Sequence, residues 1–411
     1  MSLARDLPVY SPVNFPAVLA GVRALVRGGE EAGVRAEELI RARYAQIDVL
    51  LTDSGTSALN LALTASARSA EARGSQPLAA LPAYCCYDLA TAADAAGVRV
   101  ALYDLDPDTL GPDWSSLERV VAGGATSVVV VHLFGVPADI RRVRSICRGR
   151  ADVIEDAAQA AGAVIEGRPA GGIGSLSVLS FGRGKGRTGG GGGALLANDP
   201  AGVQLMAGVR ESPVPAGRGG REMLALAAQW LLARPWLYGL PASLPFLGLG
   251  ETVYHAPWSA AGCPPACAAV LAAVWSPADR EVEARTANAE HLARSARGNT
   301  SLSVPRLEAV AIASYLRFPV VVSEAAREEA PSLRSLGVMP GYPAALPDLA
   351  GFGERCLAID DSYAGARLLA RRLVTLPVHS RLRRGTLRKL EEWLGGSLEP
   401  APVTPAGAVA L

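Results

Sequence analysis

The sequence predicts an α/β protein: a mostly parallel seven-stranded sheet with helices on both faces, followed by a smaller α+β C-terminal domain. Three observations carry that expectation. Between about residues 47 and 200, short apolar runs alternate with helix-length stretches, the pattern of parallel βαβ units around a buried sheet. The last two runs are separated only by a glycine-rich loop, too short for a helical crossover, so the final strand is expected to be antiparallel. At 411 residues the chain exceeds one ordinary core of about 150 residues, and 50% hydrophobic against 19% charged residues excludes intrinsic disorder.

The seven strands are expected at Ile47–Thr52, Leu78–Leu81, Val98–Tyr103, Ser127–Leu133, Asp152–Ile154, Leu176–Phe181 and Ala194–Ala197. The clearest helices are Ser57–Ser69, Asp88–Ala96 and Ala138–Arg148. An N-terminal arm and this large domain are assigned to residues 1–255, and the small domain to 256–411. Within the latter, Arg280–Ser295 and Thr386–Leu394 read as helices and Ala313–Val322 as a strand, with Pro347–Leu349 as loop and Pro400–Pro405 as tail. The apolar segment 223–250 holds Arg234 as its one charged residue, and Pro235, Pro241 and Pro245 interrupt it, which argues against a transmembrane span. A membrane-surface helix needs a basic face that one arginine does not supply, so burial in a subunit interface is expected.

Lys+Arg 40 against Asp+Glu 39 leaves a net charge of +1, without the concentrated positive charge that nucleic-acid binding requires. Six cysteines are sparse for the length and no secretory signal opens the sequence, so reduced thiols in a cytoplasmic protein are expected. Cys263 and Cys267 have no second His/Cys pair nearby to complete a zinc site, and no metal is expected. The basic residues carry a sharper signal. Only Lys185 and Lys389 are lysines; the rest are arginines. Arginine stays protonated near neutral pH, whereas lysine can act as an amine nucleophile. Lys389 sits in an amphipathic helical pattern and reads as a surface residue. Lys185 is the one to explain.

Ligands of open α/β sheets bind beyond the carboxyl ends of the strands, which directs attention to three loops. Ser54-Gly55-Thr56-Ser57 leads into a helix, where backbone N–H groups and hydroxyls suit a phosphate, although Ser54 or Thr56 could equally be an ordinary cap. Glu155-Asp156 places two carboxylates after an apolar strand, able to bind a metal, act as a base or pair with a cationic ring nitrogen; Asp156 could also be a helix cap. The stretch Ser180 to Gly193 carries Lys185, but Gly186 follows it and Leu179 stands where a nucleotide P-loop needs glycine, so that motif fails. A phosphate cup, a carboxylate and a lone amine together are what pyridoxal phosphate requires.

The arrangement resembles the DegT/StrS-type sugar-nucleotide aminotransferases, within the fold type I pyridoxal phosphate enzymes. The resemblance rests on Ser54-Gly-Thr-Ser-Ala-Leu59, Pro82-Ala-Tyr84 through Gly97, Tyr103-Asp-Leu-Asp-Pro-Asp-Thr-Leu110 and Val131-His-Leu-Phe-Gly135. It continues through Glu155-Asp-Ala-Ala-Gln159, Ser180-Phe181 with Lys185 and Gly192-Gly193, and Thr375-Leu-Pro-Val-His379. It implies Lys185 as the Schiff-base lysine, Asp156 as partner of the ring nitrogen, Gln159 beside the phenolic oxygen, and Gly55, Thr56 and Ser180 on the phosphate. A homodimer with shared active sites is implied as well. Two departures stand out: Cys86 occupies the place of the family's ring-stacking aromatic, with Tyr87 as a neighbouring substitute, and Gly191 replaces a usual Glu.

The implied reaction moves an amino group from an amino acid to a nucleotide-linked keto sugar, in polysaccharide or secondary-metabolite biosynthesis. A dehydratase or other eliminating enzyme on a related sugar, and a cofactor-binding regulatory protein without turnover, are the alternatives. Arg317, in Tyr315-Leu-Arg-Phe-Pro319, could hold a donor's carboxylate, though a surface strand residue is the commoner role of such an arginine.

Overall fold

The computed structural model describes residues 5–44, 47–232, 253–308, 310–357 and 362–396. Two helices, α1 (Phe15–Arg27) and α2 (Glu30–Tyr44), precede the sheet. Strands β1 (Asp48–Thr52), β2 (Leu78–Pro82), β3 (Arg99–Tyr103), β4 (Ser127–Val131) and β5 (Asp152–Asp156) follow, alternating with α3 (Gly55–Ala72), α4 (Asp88–Ala96), α5 (Trp114–Ala122) and α6 (Ile140–Cys147). Two short strands, β6 (Val164–Ile165) and β7 (Arg168–Pro169), lead to β8 (Leu176–Ser180) and β9 (Gly193–Ala197). All seven expected strands form one sheet, in the order β1-β9-β8-β5-β4-β2-β3. Only β9 runs against its neighbours, pairing antiparallel with both β1 and β8. The fold class is therefore as expected.

The strand sequences are apolar throughout because both faces are covered. Strand β4 buries all of Ser-Val-Val-Val-Val. Its alternate valines enter opposite cores: Val129 and Val131 pack on the side of α3 and α4, Val128 and Val130 on the side of α2, α5 and α6. Each fully buried valine contributes about 1.5–3 kcal/mol, so this strand anchors the sheet.

Helices α7 (Pro200–Ala207) and α8 (Gly220–Leu232) come next, and then α9 (Pro265–Val274) and α10 (Pro277–Ser295). Helix α9 lies after residue 255, yet Ala268 and Leu271 join the large-domain core and Ala266 and Val270 pack with α1 and α8. A separate cluster, from Ala289 through Phe318 and Val320 to Leu390, holds the small domain together. Its four-stranded sheet has the order β10 (Leu302–Ser303), β12 (Phe318–Val322), β14 (Leu373–Leu376), β13 (Met339–Pro340). The strand expected over Ala313–Val322 begins only at Phe318, because Tyr315 has a left-handed φ of 40° that no strand accommodates. Strand β11 (Ala311–Ile312) instead pairs with β6 of the large domain.

Of the apolar segment 223–250, residues 233–250 lie outside the described residues, as does Pro400–Pro405. In the described part Met223 and Leu226 are buried, Leu224 is exposed, and Trp230 meets Phe15 at 6.2 Å between ring centroids. No helix among the described residues is long and apolar enough to cross a membrane.

Candidate active site

The carboxyl ends of β1, β5 and β8 meet at one cavity. It is lined by Gly55, Thr56, Cys86, Asp156, Gln159, Ser180 and Lys185, together with Asp88 and several apolar side chains. Every sequence-predicted site residue is there.

Close packing of backbones builds its floor. Ser54 caps α3 by accepting from the Ser57 N–H at 3.1 Å, so the cap reading holds for Ser54 while Thr56 lies in the first turn. A side chain at Gly55 would come within 2.7 Å of Ser180 Cβ, so glycine is what lets the helix start abut β8. Any Cβ at Gly193 would collide with the Ser54 carbonyl. The first-turn N–H groups of α3 and the Ser180 hydroxyl therefore face one small volume.

Strand β5 carries both carboxylates within the strand itself, not in a loop after it, and neither caps a helix. Period-two alternation sends them to opposite faces. Glu155 turns away from the cavity and accepts from Gly171 N at 2.6 Å, from Ile173 N and Gly174 N at 2.8 Å each, and from Ser177 Oγ at 3.3 Å. It also meets His132 Nε2 at 2.9 Å, and both side chains are fully buried. His132 Nδ1 accepts from Ala138 N at 3.0 Å, which leaves Nε2 as the protonated nitrogen that donates to Glu155. Burial alone would push the Glu155 carboxyl up, but His132 and the amide donors outweigh it and hold it below its ordinary value. Asp156 turns into the cavity and accepts one protein N–H, from Ala158 at 2.9 Å. Its pKa is raised by burial, against the opposing pull of that N–H, Lys185 and His132.

Lys185 sits on a turn closed by its own N–H to Gly182 O at 3.3 Å. The Ser11 hydroxyl of the N-terminal arm donates to the Lys185 carbonyl at 2.9 Å. Thr188 braces the same loop by donating to the Phe181 and Gly182 carbonyls. Arg187 beside it is buried, paired with Asp279 and set over the Trp275 ring. The glycine-rich stretch is thus an ordered loop pinned on several sides. Gln159 is held at both ends: its oxygen accepts from Phe134 N at 3.0 Å and its nitrogen donates to Tyr342 Oη at 2.7 Å. One amide hydrogen remains for a ligand.

Cys86 does face the cavity, its thiol pushed up to about 12 by burial and so neutral. Tyr87 does not replace the missing aromatic. Its hydroxyl donates to the Ala344 carbonyl at 3.3 Å and accepts from Ala344 N at 2.8 Å, which commits the ring to the small domain. Sequence reasoning missed Ser11, Asp88 and Tyr342, and no local pattern marks them. Tyr342 reaches the site only through contacts 183 residues apart.

An amine and a poorly satisfied carboxylate share this cavity with an anion-suited helix start that only glycine permits. The donor set fits pyridoxal phosphate: the start of α3 and Ser180 would meet its phosphate, Asp156 its ring nitrogen and Lys185 its aldehyde, and all of them line the one cavity.

The architecture is that of the fold type I pyridoxal phosphate transferases. A sugar aminotransferase from Micromonospora echinospora, CalS13, superposes with a TM-score of 0.74 over 97% of this chain and 100% of its own, at 20% identity. An E. coli GDP-4-keto-6-deoxy-D-mannose-3-dehydratase with bound hydrated PLP matches with a TM-score of 0.75 at 17% identity, covering 95% of this chain and 99% of that one. At such identities the likeness speaks for the fold.

Residues 32–221 match the DegT/DnrJ/EryC1/StrS aminotransferase family model. An L-glutamine:2-deoxy-scyllo-inosose aminotransferase from Streptomyces kanamyceticus is 35% identical over 125 residues, 30% of this chain and 29% of that protein. The matched stretch therefore spans less than a third of that relative's length.

Proposed function

We propose that the protein is a pyridoxal phosphate-dependent aminotransferase that moves an amino group from an amino acid to a keto sugar carried on a nucleotide. The observation that carries this reading is the convergence of Lys185, Asp156 and the Gly55/Thr56/Ser180 cup on one cavity. When bound, the cofactor supplies an electron sink for the carbon that loses or gains the amino group.

The chain's own residues divide the remaining work. Thr56, Ser180 and the N–H groups at the start of α3 bind the phosphate and fix the cofactor's position. Asp156 holds a proton on the ring nitrogen through opposite charge in a water-poor setting. Lys185 would hold the cofactor and move a proton at the reacting carbon, and the bonds from Ser11 and Thr188 keep its loop in place. Gln159 offers its free N–H to the phenolic oxygen. Cys86 leaves the ring face more open than an aromatic would. We further propose a cytoplasmic homodimer with shared active sites, in which the surface around α8 meets the partner.

The test is the absorbance of the purified, cofactor-loaded protein before and after L-glutamine or L-glutamate is added. Conversion to the pyridoxamine form is expected. A spectrum that a panel of amino donors leaves unchanged would remove transamination and favour a cofactor-binding protein without turnover.

A further inference from the structure

Asp88 lines the active-site cavity, yet the aminotransferase reading gives it no task. An aspartate at a helix start is ordinarily a cap. Asp113, Asp139 and Asp199 fill that role for α5, α6 and α7, accepting from Ser116 N at 2.7 Å, Arg142 N at 3.0 Å and Gly202 N at 2.9 Å. Asp88 does not. The capping position of α4 belongs to Tyr87, whose side chain makes no cap bond, and no main-chain N–H or arginine meets the Asp88 carboxylate among the described residues. Asp94, further along the same helix, is by contrast held by Arg355 at 2.9 Å and by the Tyr254 hydroxyl.

The fold nevertheless fixes where Asp88 stands. The Tyr87 hydroxyl bonds both the N–H and the carbonyl of Ala344, and Thr91, one turn later, donates to the His255 carbonyl at 3.0 Å. The first turn of α4 is thus pinned on two sides, with half-buried Asp88 at the cavity. Its charge reaches the other groups there. Burial is the main cause that raises the pKa of Asp156 and of the Cys86 thiol, and the charge on Asp88 adds to it in both. The charged side chains lining the cavity are Lys185, Asp156 and Asp88. Lys185 and Asp156 are committed to the cofactor in the proposed reading, so Asp88 is the charge left to face a substrate. Leu59, Leu89, Val131 and Val178 make the surroundings apolar, which strengthens electrostatic interactions there.

We propose that Asp88 is a specificity-determining residue: its carboxylate accepts an N–H group that the substrate carries beyond its reacting centre, an amide, ammonium or guanidinium, and turns away a carboxylate in that place. A carboxylate gains a charge-assisted bond from such a donor and is repelled by a second carboxylate. The inference rests on the aminotransferase reading, in which both substrates occupy this cavity in turn. The N–H group belongs either to the side chain of the amino donor or to an acceptor sugar that already carries an amino group.

Three chain-length analogues without a primary amine probe the site without turnover: 4-guanidinobutanoate, glutaramate and glutarate, whose far ends are cationic, neutral and anionic. Calorimetry on the cofactor-loaded full chain should show the first two binding roughly 10- to 100-fold more tightly than glutarate. Asp88→Asn should shrink that spread to about threefold or less, and Asp88→Glu, which keeps the charge, should retain the order. Half-reactions then distinguish the sources. If the N–H group is the amino donor's, wild type favours L-glutamine over L-glutamate chiefly through KM, and Asp88→Asn loses the preference. If it is the acceptor's, the donor preference is the same in both proteins, while tighter binding of methyl glucosaminide than methyl glucoside to the pyridoxamine form disappears in Asp88→Asn. Equal affinities for the three analogues in wild type, or an unchanged spread in Asp88→Asn, would overturn the proposal. The expected order of analogues in a protein that no amino acid converts to the pyridoxamine form would refute the aminotransferase reading and leave the role of Asp88 standing. Thermal melting of both variants at the wild-type temperature establishes that the fold is intact.

Discussion

Glu155 and Asp156 are consecutive carboxylates on one strand, and the two sides of the sheet treat them in opposite ways. On the closed side, Glu155 receives three backbone N–H groups, a serine hydroxyl and the buried His132. On the open side, Asp156 receives the Ala158 N–H and faces Lys185 across a cavity. Burial is similar for both. What differs is the number of donors, and that number separates a carboxylate that organises the loop 171–177 from one left free to meet a ligand. Two carboxylates in a sequence are indistinguishable by type; their hydrogen-bond inventories divide structure from chemistry.

The contrast can be broken most severely at Glu155. Glu155→Ala strands a buried histidine and several donors, and should cost about 3–5 kcal/mol of stability, read as a fall in denaturant midpoint or Tm. A variant within experimental error of wild type would show that the closed side does not depend on the charge. Acid titration of the cofactor-free protein sharpens the point. The folded-state pKa of Glu155 is depressed from 4.5, so its stabilisation is complete above that value and is lost as pH falls through the depressed one. The pKa of Asp156 is raised from 3.8, so its term is most favourable below that value and is lost as pH rises through the raised one.

Asp156→Asn should therefore leave the cofactor-free fold at least as stable as wild type at neutral pH. Its turnover should nevertheless fall on the order of 10²-fold, because an amide cannot stabilise a ring-nitrogen charge. Steady-state kinetics alongside a thermal melt separates the two effects, and near-normal turnover would assign the role elsewhere. The smallest effect is expected at Tyr87→Phe, which removes the hydroxyl shared with Ala344 and should cost about 1 kcal/mol of stability. A larger loss in cofactor affinity than in stability would mean that Tyr87, and not Cys86, borders the ring.

Much of this arrangement was legible in the sequence because it rests on local signals. Parallel strands buried on both faces write themselves as valine-rich runs such as Ser127–Val131, and an isolated lysine among arginines marks Lys185. The direction of β9 followed from loop length alone. The donor count that separates Glu155 from Asp156 was not legible, since its amides come from Gly171, Ile173 and Gly174, up to 19 residues away. Nor was the turning of Tyr87 toward Ala344, 257 residues on. Contacts of that range are set by how the small domain seats on the large one, and no periodicity encodes them. The start of β12 slipped from Ala313 to Phe318 for a related reason: the left-handed Tyr315 serves a junction between domains, against its own strand preference.

The central claim is that Lys185 is the residue that holds the cofactor. Borohydride reduction of the protein loaded with pyridoxal phosphate, followed by peptide mass mapping, tests it directly, because the chain has just two lysines. The account predicts a single stable adduct on the peptide containing Lys185 and none on Lys389. Label on Lys389, or no label in protein that retains the cofactor, would contradict it.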